Sequence, residues 1–150
     1  MTEKEGIDNL SAEDIMALQS GIAAFETKQF VRAYQLLSPL ATAGNPEAQY
    51  RLAIMAQNGL GQVVNQEGAL RWMQAAAEQD FDLAQHGLGF MYMEGDCVKQ
   101  DDAQALHWFR LAAEQGLAGA QAALGRMYEE GRGVEKDLEE AKRWYAKAGF

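Results

Sequence analysis

Three stretches of this chain repeat the same residue types at a fixed interval of 36 positions, and few chain topologies satisfy that constraint. Ala48, Gln49, Leu52, Met55, Gly59, Ala69, Trp72 and Ala76 recur as Ala84, Gln85, Leu88, Met91, Gly95, Ala105, Trp108 and Ala112. They recur again as Ala120, Gln121, Leu124, Met127, Gly131, Ala141, Trp144 and Ala148. A period of this length marks stacked supersecondary units, none of which buries its apolar face alone, and arrays of this kind more often bind proteins than perform chemistry.

The spacing inside each copy is helical. Ala84, Leu88 and Met91 lie at i, i+4 and i+7 and predict a first helix from about Leu83 to Glu94. Ala105, Trp108, Phe109 and Ala112 predict a second. Between them Gly95-Asp96-Cys97-Val98-Lys99-Gln100-Asp101 turns the chain back, with Asp101 and Gln104 placed as an N-cap pair. Asp137 and Glu140 repeat that pair, whereas Asn65 faces Gly68, which has no side chain to reciprocate, so the helix after Asn65 is expected to start more weakly. Small residues at Ala53, Gly89 and Gly125 allow helices to approach, and the tryptophans are expected to fill the gaps.

These residues resemble the Sel1-like repeat, a relative of the tetratricopeptide repeat. The match runs through Ala-Gln-x-x-Leu-Gly-x-Met-Tyr-x-x-Gly at 120–131, Gly-x-Gly-Val-x-x-Asp at 131–137 and Ala-x-x-Trp-Tyr-x-x-Ala at 141–148. The middle copy departs at Cys97, where the pattern has glycine, so that loop is expected to differ locally. Upstream, Gly21, Phe25, Phe30, Ala33, Leu37 and Leu40 outline a tetratricopeptide-like hairpin with a short turn at Thr27-Lys28-Gln29. Gly44-Asn45-Pro46 closes it and caps the next helix. The expected architecture is all-α, a right-handed α-α superhelix (solenoid) of about four hairpins. Its parts are a flexible tail over 1–10, a tetratricopeptide-like hairpin over 11–44, and Sel1-like repeats over 45–80, 81–116 and 117–150.

Composition narrows the partners. The formal charge of −9 over 150 residues disfavours nucleic acid and anionic membrane surfaces, which both require clustered Lys and Arg. No apolar run at the N-terminus suggests a signal or an anchor, so a cytoplasmic location without membrane insertion is expected. One cysteine, Cys97, excludes an intrachain disulfide.

The functional residues should be those the repeat leaves free. On the first helices, the arc opposite the recurring positions carries Tyr50, Ile54 and Gln57, then His86, Phe90 and Met93, then Ala122, Arg126 and Glu129. The resemblance implies that this arc lines the concave ligand surface. Its apolar content, with a charged end at Arg126 and Glu129, suits a protein or peptide ligand. Self-burial is the competing reading, either under neighbouring second helices or beneath the segment around Ile7 and Leu10. The open end at Trp144, Tyr145 and Phe150 offers a second surface, for a homodimer or another partner.

Enzymatic readings lack their required geometry. Gly59-Leu60-Gly61 and Gly131-Arg132-Gly133 have neither the preceding strand nor the following residues of a phosphate loop. His86, Cys97 and His107 match no metal-ligand spacing, and Cys97 has no local activating histidine. No cofactor and no catalytic residue is expected. Glu139 is placed to support Arg143 at i,i+4. The resulting reading is a non-enzymatic interaction module or adaptor. A subunit of a secretion, envelope or toxin-immunity complex is the alternative, and a hydrolase working in the groove is the reading from another class.

Overall fold

The computed structural model describes residues 10–150. Among them are eight helices and no strand: α1 (Ala12–Glu26), α2 (Phe30–Thr42), α3 (Pro46–Asn58), α4 (Gln66–Ala77), α5 (Asp82–Glu94), α6 (Asp102–Glu114), α7 (Ala118–Glu130) and α8 (Leu138–Lys147). They fall into two compact units, one ending at Phe81 and the other beginning at Asp82. Of the tail assigned to 1–10, residues 1–9 lie outside the described residues, and Leu10 packs against the first unit's core.

In the first unit α1 and α2 meet closely because Gly21 has no side chain: a Cβ there would stand 2.5 Å from Cδ2 of Leu37. Phe25 and Phe30 flank the Thr27–Gln29 turn edge to face, with centroids 5.7 Å apart. Asn45 Oδ1 accepts from the Ala48 N–H at 2.9 Å and Pro46 takes the first position of α3, as the sequence predicts. Leu18, Ala33, Leu37, Leu52 and Met55 form the core, and Trp72 packs on its edge.

The second unit repeats the plan with different sizes. Gly89 faces the ring of the fully buried Phe109, where an added Cβ would come within 2.7 Å. Gly125 faces Tyr145 at 3.1 Å in the next hairpin. Phe109, Leu124 and Met127 are the largest fully buried members of the core, with Trp144 packed against it. All three tryptophans are only half-buried, so in the first two copies the gap-filling role belongs to the buried residue after each, Met73 or Phe109, more than to the indole; in the third copy Trp144 and Tyr145 are both half-buried.

Two expectations about the loops are corrected. Asn65 caps α4 as well as the aspartates cap their helices: its Oδ1 accepts from the Gly68 N–H at 2.9 Å, against 3.2 Å for Asp101 and 3.0 Å for Asp137. No reciprocal side chain is needed. The cap residue's own N–H donates to the preceding helix, from Asn65 to Ala56 O at 2.8 Å, from Asp101 to Tyr92 O at 2.9 Å and from Asp137 to Tyr128 O at 2.9 Å. The loop at Cys97 also keeps the shared backbone. Cys97 sits at φ 65°, beside 69° for Gly61 and 68° for Gly133, so a side chain occupies a left-handed position that its repeats give to glycine.

Side-chain amide bonds tie each unit together. Gln79 Nε2 donates to Gly44 O at 2.8 Å and to Gln49 Oε1 at 3.0 Å, while Gln49 Nε2 donates to Ala41 O at 3.1 Å. In the second unit Gln115 Nε2 donates to Gln85 Oε1 at 2.8 Å, and Gln121 Nε2 donates to Ala113 O at 3.1 Å. The recurring glutamines are thus buried polar clamps whose alternatives, unpaired amides, would be costly.

Candidate functional site: an apolar depression on the second unit

The residues singled out from the sequence divide between the two units. In the first, Tyr50 is half-buried with its ring edge-on to Phe81, centroids 5.4 Å apart. Ile54 and Gln57, on the same helix, are also half-buried.

In the second unit, Phe90, Met93, Gly119, Ala122, Ala123, Arg126 and Tyr145 line an open depression of about 300 Å³. Helices α5 and α7 supply its walls, and Tyr145 comes from α8. Phe90 is 39% exposed, yet its ring is fixed edge-on against Phe109 at 5.1 Å and His86 at 4.9 Å. A phenyl ring that is open on one side and immobilised on the other is a preorganised contact surface, because little side-chain entropy remains to be lost on binding.

Met93 is a correction. It is 5% exposed and belongs to the core with Phe109 and Leu124, so it supports the depression from beneath rather than standing in it. The helical wheel does not account for this, because Gln57 and Glu129 hold the same repeat position and are half-buried and exposed; the difference is the long apolar side chain, which packs with the core of Phe109, Leu124 and Met127. His86 is likewise not a free surface group. It is half-buried between Phe90 and Phe109, and burial pulls its imidazole below the usual value of 6.5 while Asp82 acts the other way.

The polar groups of the rim bond to one another. Arg126 Nε lies 2.9 Å from Glu130 Oε1, and Tyr145 Oη donates to Glu129 Oε2 at 2.7 Å. Burial and then that hydrogen bond push the Tyr145 phenol up to about 12, so it remains a neutral donor. Gly119 and Ala123 had not been picked out from the sequence, and Tyr145 had been placed at the open end with Trp144 and Phe150 rather than with Phe90. The signal for Tyr145 was its repeat position, shared with Phe109, which marks it as a packing residue facing Gly125.

One repeat position at the depression differs in size between the copies. Tyr50 and His86 occupy it in the first two copies, and the third has Ala122. Ala122 lines the depression together with Phe90 and Tyr145, with no ring of its own to place there.

The other candidates stay apart. His86, Cys97 and His107 form no metal-ligand group, and no cluster of three His, Cys, Asp or Glu that could hold a metal occurs among the described residues. Burial and Asp96 push the Cys97 thiol up to about 11, the reverse of an activated nucleophile. Arg143 pairs with Glu140 rather than with Glu139, which takes Lys142 instead. No described helix is long and apolar enough to cross a membrane.

Paired antiparallel helices with a left-handed glycine closing the first helix, an Asx cap opening the second, and a buried glutamine in each copy define a helical-hairpin repeat protein. The particular family follows from the sequence: the Sel1 repeat matches residues 46–81, 82–117 and 118–149, and the chain belongs to that family. No curated protein matches the chain. Among solved structures, a Sel1 repeat protein from Oxalobacter formigenes is 35% identical with a TM-score of 0.83, over 87% of this chain and 54% of that one. A protective antigen present in uropathogenic Escherichia coli strains, displaying an SLR fold, is 34% identical with a TM-score of 0.85. That match takes in 99% of this chain and 33% of the antigen. This chain therefore spans about half and a third of the lengths of these relatives. The fold class is all-α, built from tandem hairpins of the SLR type. Sel1 repeats are in general protein–protein interaction modules and in general not catalytic.

Proposed function

We propose that this chain is a non-enzymatic adaptor whose second unit holds an apolar side chain of a protein ligand in the depression bordered by Phe90, Ala122 and Tyr145. The observation that carries this reading is the vacant ring position at Ala122, beside a phenyl group that is exposed and already fixed by Phe109 and His86. The ionisable groups at the rim are engaged with one another, Arg126 with Glu130 and Tyr145 with Glu129, an arrangement that suits orientation of a ligand better than proton transfer.

Ala122→Tyr tests this cleanly, because it installs the side chain that the first copy carries at the same repeat position. Phe90→Asp is a less direct test, since it also removes ring packing from Phe109. In an NMR titration with millimolar N-acetylphenylalaninamide, amide shifts should cluster at Phe90, Ala122, Arg126 and Tyr145. They should vanish in Ala122→Tyr, whose circular dichroism stays that of the parent. Shifts scattered over the surface, or unchanged in Ala122→Tyr, would refute the assignment.

A further inference from the structure

We infer that the ligand side chain entering this depression is flanked by Lys or Arg, so that the site selects basic amphipathic peptides over acidic ones. The inference rests on the reading of the depression given above and adds its charge preference.

The charges that act on Arg126 are Glu130 and Glu94, and those that act on Tyr145 are Glu129, Glu130 and Arg126. Glu130 and Glu129 are each bonded to a residue that lines the depression, Arg126 and Tyr145, and Glu94 at the end of α5 acts on Arg126 as well, so three carboxylates stand about the rim against one guanidinium. That guanidinium is already committed, with Nε 2.9 Å from Glu130 Oε1. Glu129 is held in place by the Tyr145 hydroxyl at 2.7 Å, and it retains acceptor capacity because a carboxylate offers about four lone-pair sites and the phenol occupies one. An incoming cation meets positioned acceptors, while an incoming carboxylate meets three of its own sign. The preference is local and does not follow from the net charge of −9 alone, which would attract a cation to any part of the surface.

Two synthetic peptides of equal length, with one central Phe and either four flanking Lys or four flanking Glu, separate the possibilities by fluorescence anisotropy at 50 mM salt. The Lys peptide should bind and the Glu peptide should show no binding. Glu129→Gln, which can still accept from Tyr145, and Glu94→Gln should each weaken the Lys peptide about twofold to fivefold, as exposed pairs do. Raising the salt to 500 mM should weaken it further, and Ala122→Tyr should abolish specific binding. Equal affinity of the two peptides would overturn the charge inference and leave the apolar depression standing. Binding of the Lys peptide that Ala122→Tyr leaves unchanged would be diffuse attraction, and would overturn both.

Discussion

Gly89→Ala should destabilise this protein even though alanine is the better helix former, and the size of the effect can be worked from one contact. In the interior of α5 the exchange gains about 1 kcal/mol of helix propensity. Against it stands the ring of Phe109: the new Cβ would lie 2.7 Å from Cδ1, 2.8 Å from Cε1 and 3.0 Å from Cγ, closer than carbon atoms approach. Phe109 is fully buried and cannot swing out to solvent. Overpacking of this kind costs about 1–3 kcal/mol, so after the propensity gain the net loss should be up to about 2 kcal/mol, visible as a lower urea midpoint at unchanged m. The cause is isolated by a cycle with Phe109→Leu. In that background the ring is gone, and Gly89→Ala should become neutral or stabilising, a coupling of about 1–3 kcal/mol. The equivalent Gly125→Ala should cost less, because its neighbour Tyr145 is 3.1 Å away, half-buried, and able to yield. If Gly89→Ala stabilises the parent, or if its effect is the same with and without Phe109, the close approach of α5 and α6 is not set by this contact.

Cys97 and His86 give two further tests. Cys97→Gly should raise stability by about 0.5–1 kcal/mol, the relief of a left-handed side chain less the chain entropy of glycine, and urea unfolding checks it. In the parent, a thiol pushed up to about 11 should react with iodoacetamide at pH 8 about a hundredfold more slowly than free cysteine, and a rate near that of the free amino acid would contradict its burial beside Asp96. His86, with its folded value below 6.5, binds a proton more readily in the unfolded chain. Its contribution to stability is therefore complete above pH 6.5 and is lost as the pH falls through the folded value. The difference in stability between the parent and His86→Gln should shrink over that window, and a difference that grows on acidification would reverse the sign of the shift.

The scaffold was legible in the sequence because its determinants are local and repeated. A residue that recurs every 36 positions meets equivalent neighbours in each copy, so Ala, Leu, Met and Gly could be assigned to packed faces without knowing what they touch. The capping aspartates and Asn65 were readable for the same reason. What escaped was whatever depends on a partner distant in the chain. The N–H of Asn65 finds Ala56 O across the loop, so the lack of a side chain at Gly68 costs that helix nothing. Cys97 looked like a local deviation, yet the loop is held at both ends by the same hydrogen bonds as its sisters, Asp96 N–H to Met91 O and Asp101 N–H to Tyr92 O, and the side chain takes the strain instead.

The site shows the same division at finer scale. A helical wheel assigns direction but not depth, which is why Phe90 and Arg126 emerged at the surface while Met93, from the same arc, went into the core. Nor does a wheel show an unfilled volume, since empty space arises from what a neighbour lacks. Ala122 taken alone is an unremarkable helix residue; beside Tyr50 and His86 in the register of 36 it is a missing ring. The repeat therefore carries more than the fold. A position that the array fills twice and leaves small once is where the proposed ligand would supply the absent side chain, and in the second unit that position lines the same depression as the one large aromatic ring of α5 that remains exposed.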